Sequence, residues 1–256
     1  MFPPGGSITG WAWLQGLCCW AQGQESICIG GNGMRKKITL VILLLLLGAA
    51  ILLWPKFHGA MMNQQMAETV EEFISITDSY PGLHEAMESY NKAIYHERQV
   101  KIRSLADCEK SAIKLEKYGI TDEVAGVLEI PAMQLSMPLY LGASNEHLAL
   151  GAAQMGQTSM PIGGKNTNCV IAGHRGWNGA DYFRYIDTLQ VGDDVIIHNL
   201  WDMLHYKVTE IKIISPSAVG ELLIQQDKDM ITLLSCHPYA SGGRMRYAVF
   251  CERTNN

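Results

Sequence analysis

The stretch ITLLSCHPY, residues 231–239, decides the fold that we expect for this chain. Its run of β-branched and leucine residues predicts a buried strand, and the Pro-Tyr pair after it predicts a turn. The thiol of Cys236 therefore stands at the tip of a strand. The alternative is a buried structural thiol, since cysteine is among the residues most often found in protein cores.

Two further stretches carry groups that would complement a reactive thiol. The segment IAGHRG, residues 171–176, ends a second β-rich run on His174, and RYAVFC, residues 246–251, opens a third run with Arg246. In acyl transfer through a thioester, a thiolate attacks, an imidazole moves protons and a guanidinium stabilises the oxyanion. Together with Cys236, these residues make up that set.

Other residues compete for two of these roles. The rival histidines are His147, His198, His205 and His237. His174 is favoured because glycines flank it and allow close approach, whereas His237 neighbours the thiol on a strand and should point to the opposite face. Arg244 competes with Arg246, but it follows a Gly-Gly turn, where a solvated charge is the simpler interpretation.

The order His, Cys, Arg and the local motifs resemble the sortases, which are cysteine transpeptidases of Gram-positive cell surfaces. The family pattern Thr-Leu-x-Thr-Cys appears here as TLLSC, residues 232–236, with Ser235 in place of Thr. The resemblance covers roughly residues 125–253. Within it, LYLGAS at 139–144 and TSMPIGG at 158–164 look most like class C, the branch that polymerises pilins.

This resemblance implies a function and a set of partners. Cys236 would attack the Thr carbonyl of a Leu-Pro-x-Thr-Gly-like sorting signal, with His174 as acid and base and Arg246 as oxyanion donor. The substrates would be surface proteins or pilins, and the acceptor a pilin lysine or a cell-wall peptidoglycan precursor. No metal or organic cofactor is needed. Two alternatives stay open: a cysteine peptidase that releases its product to water, and an inactive, anchored surface-binding domain.

Composition limits the other classes of function. The formal net charge of the 256 residues is −5, so no basic face for nucleic acid is expected. The seven cysteines show neither zinc-ligand spacing nor a Cys-x-x-Cys pair.

One segment predicts attachment to the cell membrane. Residues 38–54 are 17 residues without a charge, which is near the lower limit for spanning a bilayer. Arg35, Lys36 and Lys37 precede the segment, so its amino-terminal side should stay cytoplasmic and the chain after about residue 56 should be extracellular. A cleaved signal peptide is disfavoured, because bulky residues follow the apolar run.

These features divide the chain into four parts. We expect a patternless extension at 1–33, with translation starting at Met34, a membrane anchor at 34–58, helices and a lid-like region at 59–124, and the catalytic barrel at 125–256. In class C sortases, as the resemblance implies, the lid places an Asp and an aromatic residue over the site. Residues 98–117 offer only Asp107, followed by Cys108, so a weak lid is expected.

The periodicity predicts a mainly β domain with amphipathic helices before it. Apolar residues recur at three-and-four spacing over 66–77 and 83–94, with a Tyr-Pro-Gly turn between. Six strands are predicted from β-rich runs bounded by turn residues, and these are 126–130, 168–172, 194–198, 204–214, 230–236 and 246–251. Since no long helices separate them, we predict a mainly antiparallel barrel. The resemblance implies eight strands.

Overall fold

The structure is a computed structural model that describes residues 31–76, 79–97, 99 and 108–254. The chain divides between Leu53 and Trp54 into two units. The expected extension at 1–33 and the lid residue Asp107 therefore lie largely or wholly outside the described residues.

Helix α1 (Gly31–Ile74) carries the apolar segment. Within it, an 18-residue window reaches a mean hydropathy of 2.7, and none of that window is buried. This is consistent with a membrane anchor or a signal sequence. The sequence indicated an anchor and a separate amphipathic helix, whereas the structure joins them into one helix that continues through Pro55.

Helix α2 (Leu83–His96) begins where the Tyr-Pro-Gly turn predicted. Gly82 precedes it with a φ of 78°, a left-handed conformation that glycine adopts without steric cost. Its buried residues Leu83, Met87 and Ile94 share one face. That face packs in a cluster with Leu141 of the barrel, so the helix is held by apolar burial.

Eight strands follow, with the short helix α3 (Asn145–Leu150) between the second and the third. The strands are β1 (Val124–Ile130), β2 (Leu135–Leu141), β3 (Ala152–Gln154), β4 (Thr167–Ala172), β5 (Asp194–Asn199), β6 (Met203–Ile214), β7 (Asp229–His237) and β8 (Met245–Arg253). All six predicted strands are present, and β2 and β3 are additional.

The strands form a closed barrel in the order β1-β2-β3-β4-β7-β8-β6-β5. The pairs β2–β3 and β4–β7 are parallel and the other pairs are antiparallel. The prediction of a mainly antiparallel, eight-stranded barrel is thus confirmed. The parallel pair β4–β7 matters most for function, because these two strands then end at the same rim of the barrel.

The core lies inside this barrel and alternates along the strands as the pleat requires. On β6, Leu204, Tyr206 and Val208 are buried and pack in the main cluster, while Lys207 between them is exposed. Each fully buried side chain of this size contributes roughly 1.5–3 kcal/mol to stability. The interior of the barrel is therefore filled by side chains, and a functional site is expected at its rim.

Candidate active site

Strands β7 and β8 bring the thiol and one guanidinium face to face. Cys236 and Arg246 are direct partners in the antiparallel register. Directly opposite residues project from the same face of a sheet, so the two side chains lie side by side. Ser235 is 3% exposed, whereas Cys236 is partly exposed. Cys236 is therefore partly open to solvent near the end of β7.

The turn between these strands closes over both groups. Gly243 has a φ of 79°, and a Cβ on it would lie 3.1 Å from Sγ of Cys236 and 2.8 Å from Nη1 of Arg246. That guanidinium donates to the carbonyl oxygens of Gly243 (2.5 Å) and Met245 (3.1 Å). Arg244, by contrast, is exposed in the turn. The bare glycine backbone thus makes room for the thiol and the Arg246 guanidinium together.

The parallel pairing of β4 with β7 carries His174 to the same rim. The backbone N–H of Gly173 donates to the carbonyl oxygen of Leu234 (3.1 Å). The hydroxyl of Ser235 donates to the carbonyl oxygen of Gly173 (2.8 Å). These bonds hold the chain against β7 up to Gly173. His174, the next residue, therefore follows the end of β4 beside the end of β7. The structure therefore places the backbones of the three sequence-predicted residues at one rim of the barrel.

Aromatic rings surround the imidazole of His174. The indole of Trp177 stacks on it, with ring centroids 4.8 Å apart and planes at 17°. The ring of Tyr182 lies perpendicular to the imidazole, with centroids 6.0 Å apart. Burial of His174 lowers its pKa, because a desolvated imidazole is harder to charge. The ring is thus held in place and biased toward its neutral form.

The rival histidines lie in other surroundings. His147 contacts the carboxylate of Glu123 at 2.8 Å, and His198 contacts that of Glu129 at 3.0 Å. His237, the neighbour of the thiol, packs against the ring of Tyr247 on the other face of β7 from Cys236. His205 lies on β6 and its carbonyl oxygen accepts from Thr254.

Arg175 is a residue of this site that the sequence did not single out. It is only 6% exposed. Its guanidinium donates to the carbonyl oxygens of Arg184 (2.9 Å) and Cys236 (3.3 Å), and it pairs with the carboxylate of Asp187 (2.6 Å). Because Arg175 follows His174 directly, it ties the backbone next to the imidazole to the backbone of the thiol residue. In the sequence it is a loop arginine like any other.

The other described cysteines differ from Cys236 in burial. Cys169 and Cys251 are 2% and 0% exposed, and burial raises the pKa of both thiols well above the usual range. Cys108 is 1% exposed and packs in the cluster that contains Leu234. Among the described cysteines, Cys236 is thus the one that an external reagent can approach directly.

The described part of the lid-like region is attached to the barrel. The carbonyl oxygen of Cys108 accepts from the backbone N–H groups of Ala143 (3.2 Å) and Gly156 (2.8 Å). Within the described ranges, no group of three or more His, Cys, Asp or Glu residues could hold a metal ion.

Comparison with known proteins points to one family. A family profile described as "Sortase domain" matches residues 128–254. Sortase A of Listeria monocytogenes is 26% identical over 205 residues, which cover 79% of this chain and 85% of that protein. The chain therefore matches this relative over most of its length.

Solved structures agree in fold. Sortase C from Clostridium perfringens SM101 is 30% identical, with a TM-score of 0.60, over 75% of this chain and 99% of the other. A sortase C from Streptococcus pneumoniae, whose structure is described in connection with catalysis and pilin substrate specificity, is 29% identical with a TM-score of 0.60. That match covers 74% of this chain and 97% of the other.

Proposed function

Since this chain belongs to the sortase family, we propose that it is a membrane-anchored transpeptidase that cleaves a Leu-Pro-x-Thr-Gly-like sorting signal and joins the acyl group to an amine. The observation that carries the proposal is the register of Cys236 opposite Arg246, with Gly243 against both groups. An arginine in a solvated turn and a thiol in the core would not be expected to lie against the same glycine.

The first half of the reaction forms a thioester. The thiolate of Cys236 attacks the carbonyl carbon of the signal's Thr, and the negative charge moves to the carbonyl oxygen. Arg246, beside the thiol, donates hydrogen bonds to that oxyanion. His174 takes the proton that the Cys236 thiol loses, and when the C–N bond breaks, the resulting imidazolium gives that proton to the departing Gly amine.

The second half transfers the acyl group. The now neutral imidazole of His174 takes a proton from the incoming amine, which attacks the thioester and releases the Cys236 thiolate. Burial of His174 suits this step, because it lowers the pKa and favours the neutral base. The indole of Trp177 also covers one face of the imidazole and limits the approach of water there, which competes with the amine.

We propose a pilin lysine as the acceptor and a cell-wall peptide as the alternative. The support for the pilin is the similarity to the S. pneumoniae sortase C, which is described in connection with pilin substrates. In the proposed topology, the basic residues at 35–37 keep the amino-terminal side of α1 in the cytoplasm and the barrel outside the cell.

The test is the product formed by the full chain in detergent micelles. The protein is incubated with a Leu-Pro-x-Thr-Gly peptide and either a lysine-containing pilin peptide or a cell-wall peptide, and products are identified by mass spectrometry. We expect an amide between the Thr and the added amine. A free Thr acid as the sole product would indicate a peptidase, and no reaction would favour a binding domain.

A matched pair of arginine variants tests the assignment of the oxyanion donor. Arg246→Ala should lower kcat about 10²–10³-fold, as the loss of an oxyanion-hole donor does in other enzymes. Arg244→Ala, in the same turn but exposed, should have a far smaller effect. If Arg244→Ala were the more damaging variant, the proposed role of Arg246 would be wrong.

A further inference from the structure

The carboxyl-terminal part of α1 is packed on the barrel along one face. Gly59 is buried, Met62 packs against the main core, and Met66, Val70 and Phe73 are 5%, 8% and 5% exposed. These residues recur at three-and-four spacing, as one side of a helix does. This segment belongs to the second unit of the chain, together with the active site.

Gly59, at the start of this face, meets a tight turn that follows the imidazole. Trp177 and Ala180 exchange backbone hydrogen bonds of 3.1 Å and 2.9 Å. Between them, Asn178 and Gly179 have φ values of 47° and 88°. Two left-handed residues in a two-residue loop, as Asn-Gly, make a rigid hairpin turn.

The helix and the turn touch backbone to backbone. A Cβ on Gly59 would strike the carbonyl group of Gly179 and lie 2.8 Å from the backbone nitrogen of Ala180. A Cβ on Gly179 would strike the carbonyl oxygen of Pro55. Since all of these are backbone atoms, none can swing aside as the end of a flexible side chain would. The two glycines therefore fix how closely the helix approaches the turn.

The turn also determines which side chain stacks on the imidazole of His174. Trp177 is its first residue, and its indole stacks on His174 at 4.8 Å. Ala180, its last residue, is 0% exposed in the barrel core. The turn is thus held by the core at Ala180 and by the helix at Gly179, while Trp177 is 47% exposed.

We propose that the segment Pro55–Gly59 of α1 is a positioning element of the active site. Through the contact of Gly59 with Gly179 it holds the turn, and through the turn it holds Trp177 flat on His174. The inference rests on the proposed catalytic role of His174. It implies that the reaction depends on a helix whose other end is the apolar segment, so that cleavage of α1 before residue 60 would slow the enzyme.

Gly59→Ala tests the contact from the helix side. Alanine is a better helix former than glycine, so the substitution does not weaken the helix itself. It forces the turn away, and a displacement of about 1 Å near a catalytic group can cost about 10²-fold in rate, so we expect kcat to fall about 10–100-fold. Gly48→Ala is the matched control, since nothing lies within 4 Å of a Cβ there.

Gly179→Ala tests the same contact from the side of the turn. Its φ of 88° strains an alanine whatever the surroundings, so it is paired with Gly192→Ala. Gly192 has a φ of 101° and open space around a Cβ, which makes it a control for backbone strain alone. We expect kcat to fall in Gly179→Ala and to stay near the wild-type value in Gly192→Ala.

Two measurements on the full chain in detergent separate a local effect from unfolding and from an error in the proposed function. The indole resonance of Trp177 should shift in the Gly59 and Gly179 variants and not in their controls. Cys169 and Cys251, which are buried, should stay protected from alkylation if the barrel is intact.

The inference is overturned if both contact variants match their controls in kcat and in the indole resonance. It is also overturned if kcat falls only in variants whose buried thiols become reactive. Failure of the proposed function has a different signature, because then the wild-type chain would form no amide from the sorting peptide while the indole resonance still shifted in the Gly59 variant.

Discussion

Arg175→Met removes the guanidinium that ties the backbone of Cys236 to the loop of His174. Methionine keeps most of the apolar stem and can still cover the neighbouring Tyr247 ring, which lies 5.6 Å from the guanidinium carbon. The methionine side chain has no hydrogen-bond donor. The carbonyl oxygens of Cys236 and Arg184, which now accept at 3.3 Å and 2.9 Å, lose that partner.

The cost follows from these contacts. A buried polar group without a partner costs about 1–3 kcal/mol, and the 3.3 Å bond belongs at the weak end of that range. The carboxylate of Asp187 is 51% exposed, so water replaces the lost ion pair and adds little. We therefore expect the free energy of unfolding to fall by about 3 kcal/mol, or about 6–12 °C in Tm for a domain of this size.

The assay is thermal unfolding of the full chain in detergent micelles, followed by near-UV circular dichroism, with transpeptidation measured in parallel. Arg184→Met is the control, because its side chain is 35% exposed and it contacts Asp181 at 3.5 Å and the hydroxyl of Tyr239 at 2.6 Å. It should cost less than about 1 kcal/mol. Equal Tm values for the two variants would refute the reasoning.

Three further expectations concern titratable groups. Cys236 should be alkylated well before Cys169 and Cys251, whose thiol pKa values are raised by burial, and equal labelling in the folded protein would contradict this. In a Cys236→Ala variant, the imidazole of His174 should titrate by NMR below about 6.5, since burial lowers its pKa; a midpoint above that value would count against the described packing. Burial raises the pKa of Asp229, so its folded value lies above the unfolded one and the resulting stabilisation, complete at low pH, is lost as the pH rises through the folded pKa. The free energy of unfolding of the wild type, relative to Asp229→Asn, should therefore increase as the pH falls from about 7 to about 4, and a constant difference would contradict the assignment.

The strands that the sequence revealed are those with a strong local signal. The two it missed have weak signals for identifiable reasons. Strand β2 contains Pro138, which removes a backbone donor and argues against a strand interior. Strand β3 has three residues, two of them alanine, which favour strands little. The anchor and the amphipathic stretch at 66–77 were expected as separate helices, whereas the structure has one helix that continues through Pro55 and packs its later turns on the barrel.

At the site, the sequence was informative about which residues have the required chemistry and silent about what holds them. The family resemblance is confirmed, while the roles of Cys236, His174 and Arg246 stay predictions. The hydrogen bond from Arg175 to Cys236 and the close approach of Gly59 to Gly179 each join segments that are distant in the chain. The local sequence around these residues looks like that of an ordinary solvated loop or helix. Such contacts depend on tertiary structure, so no periodicity or motif in the sequence predicts them.

Closure of the barrel limits how a substrate can be recognised. Among the described residues, each of the eight strands has a hydrogen-bonded neighbour on both sides, so no whole strand lies at an open edge, although residues 210–214 of β6 pair only with β8. Many peptide-binding domains gain affinity by accepting their ligand as an extra strand, through hydrogen bonds to the ligand's main chain. A closed barrel leaves little room for that route. We therefore expect discrimination to come mainly from side chains and loops around the rim, so changes of specificity in this protein should arise by loop substitution and leave the strand register untouched.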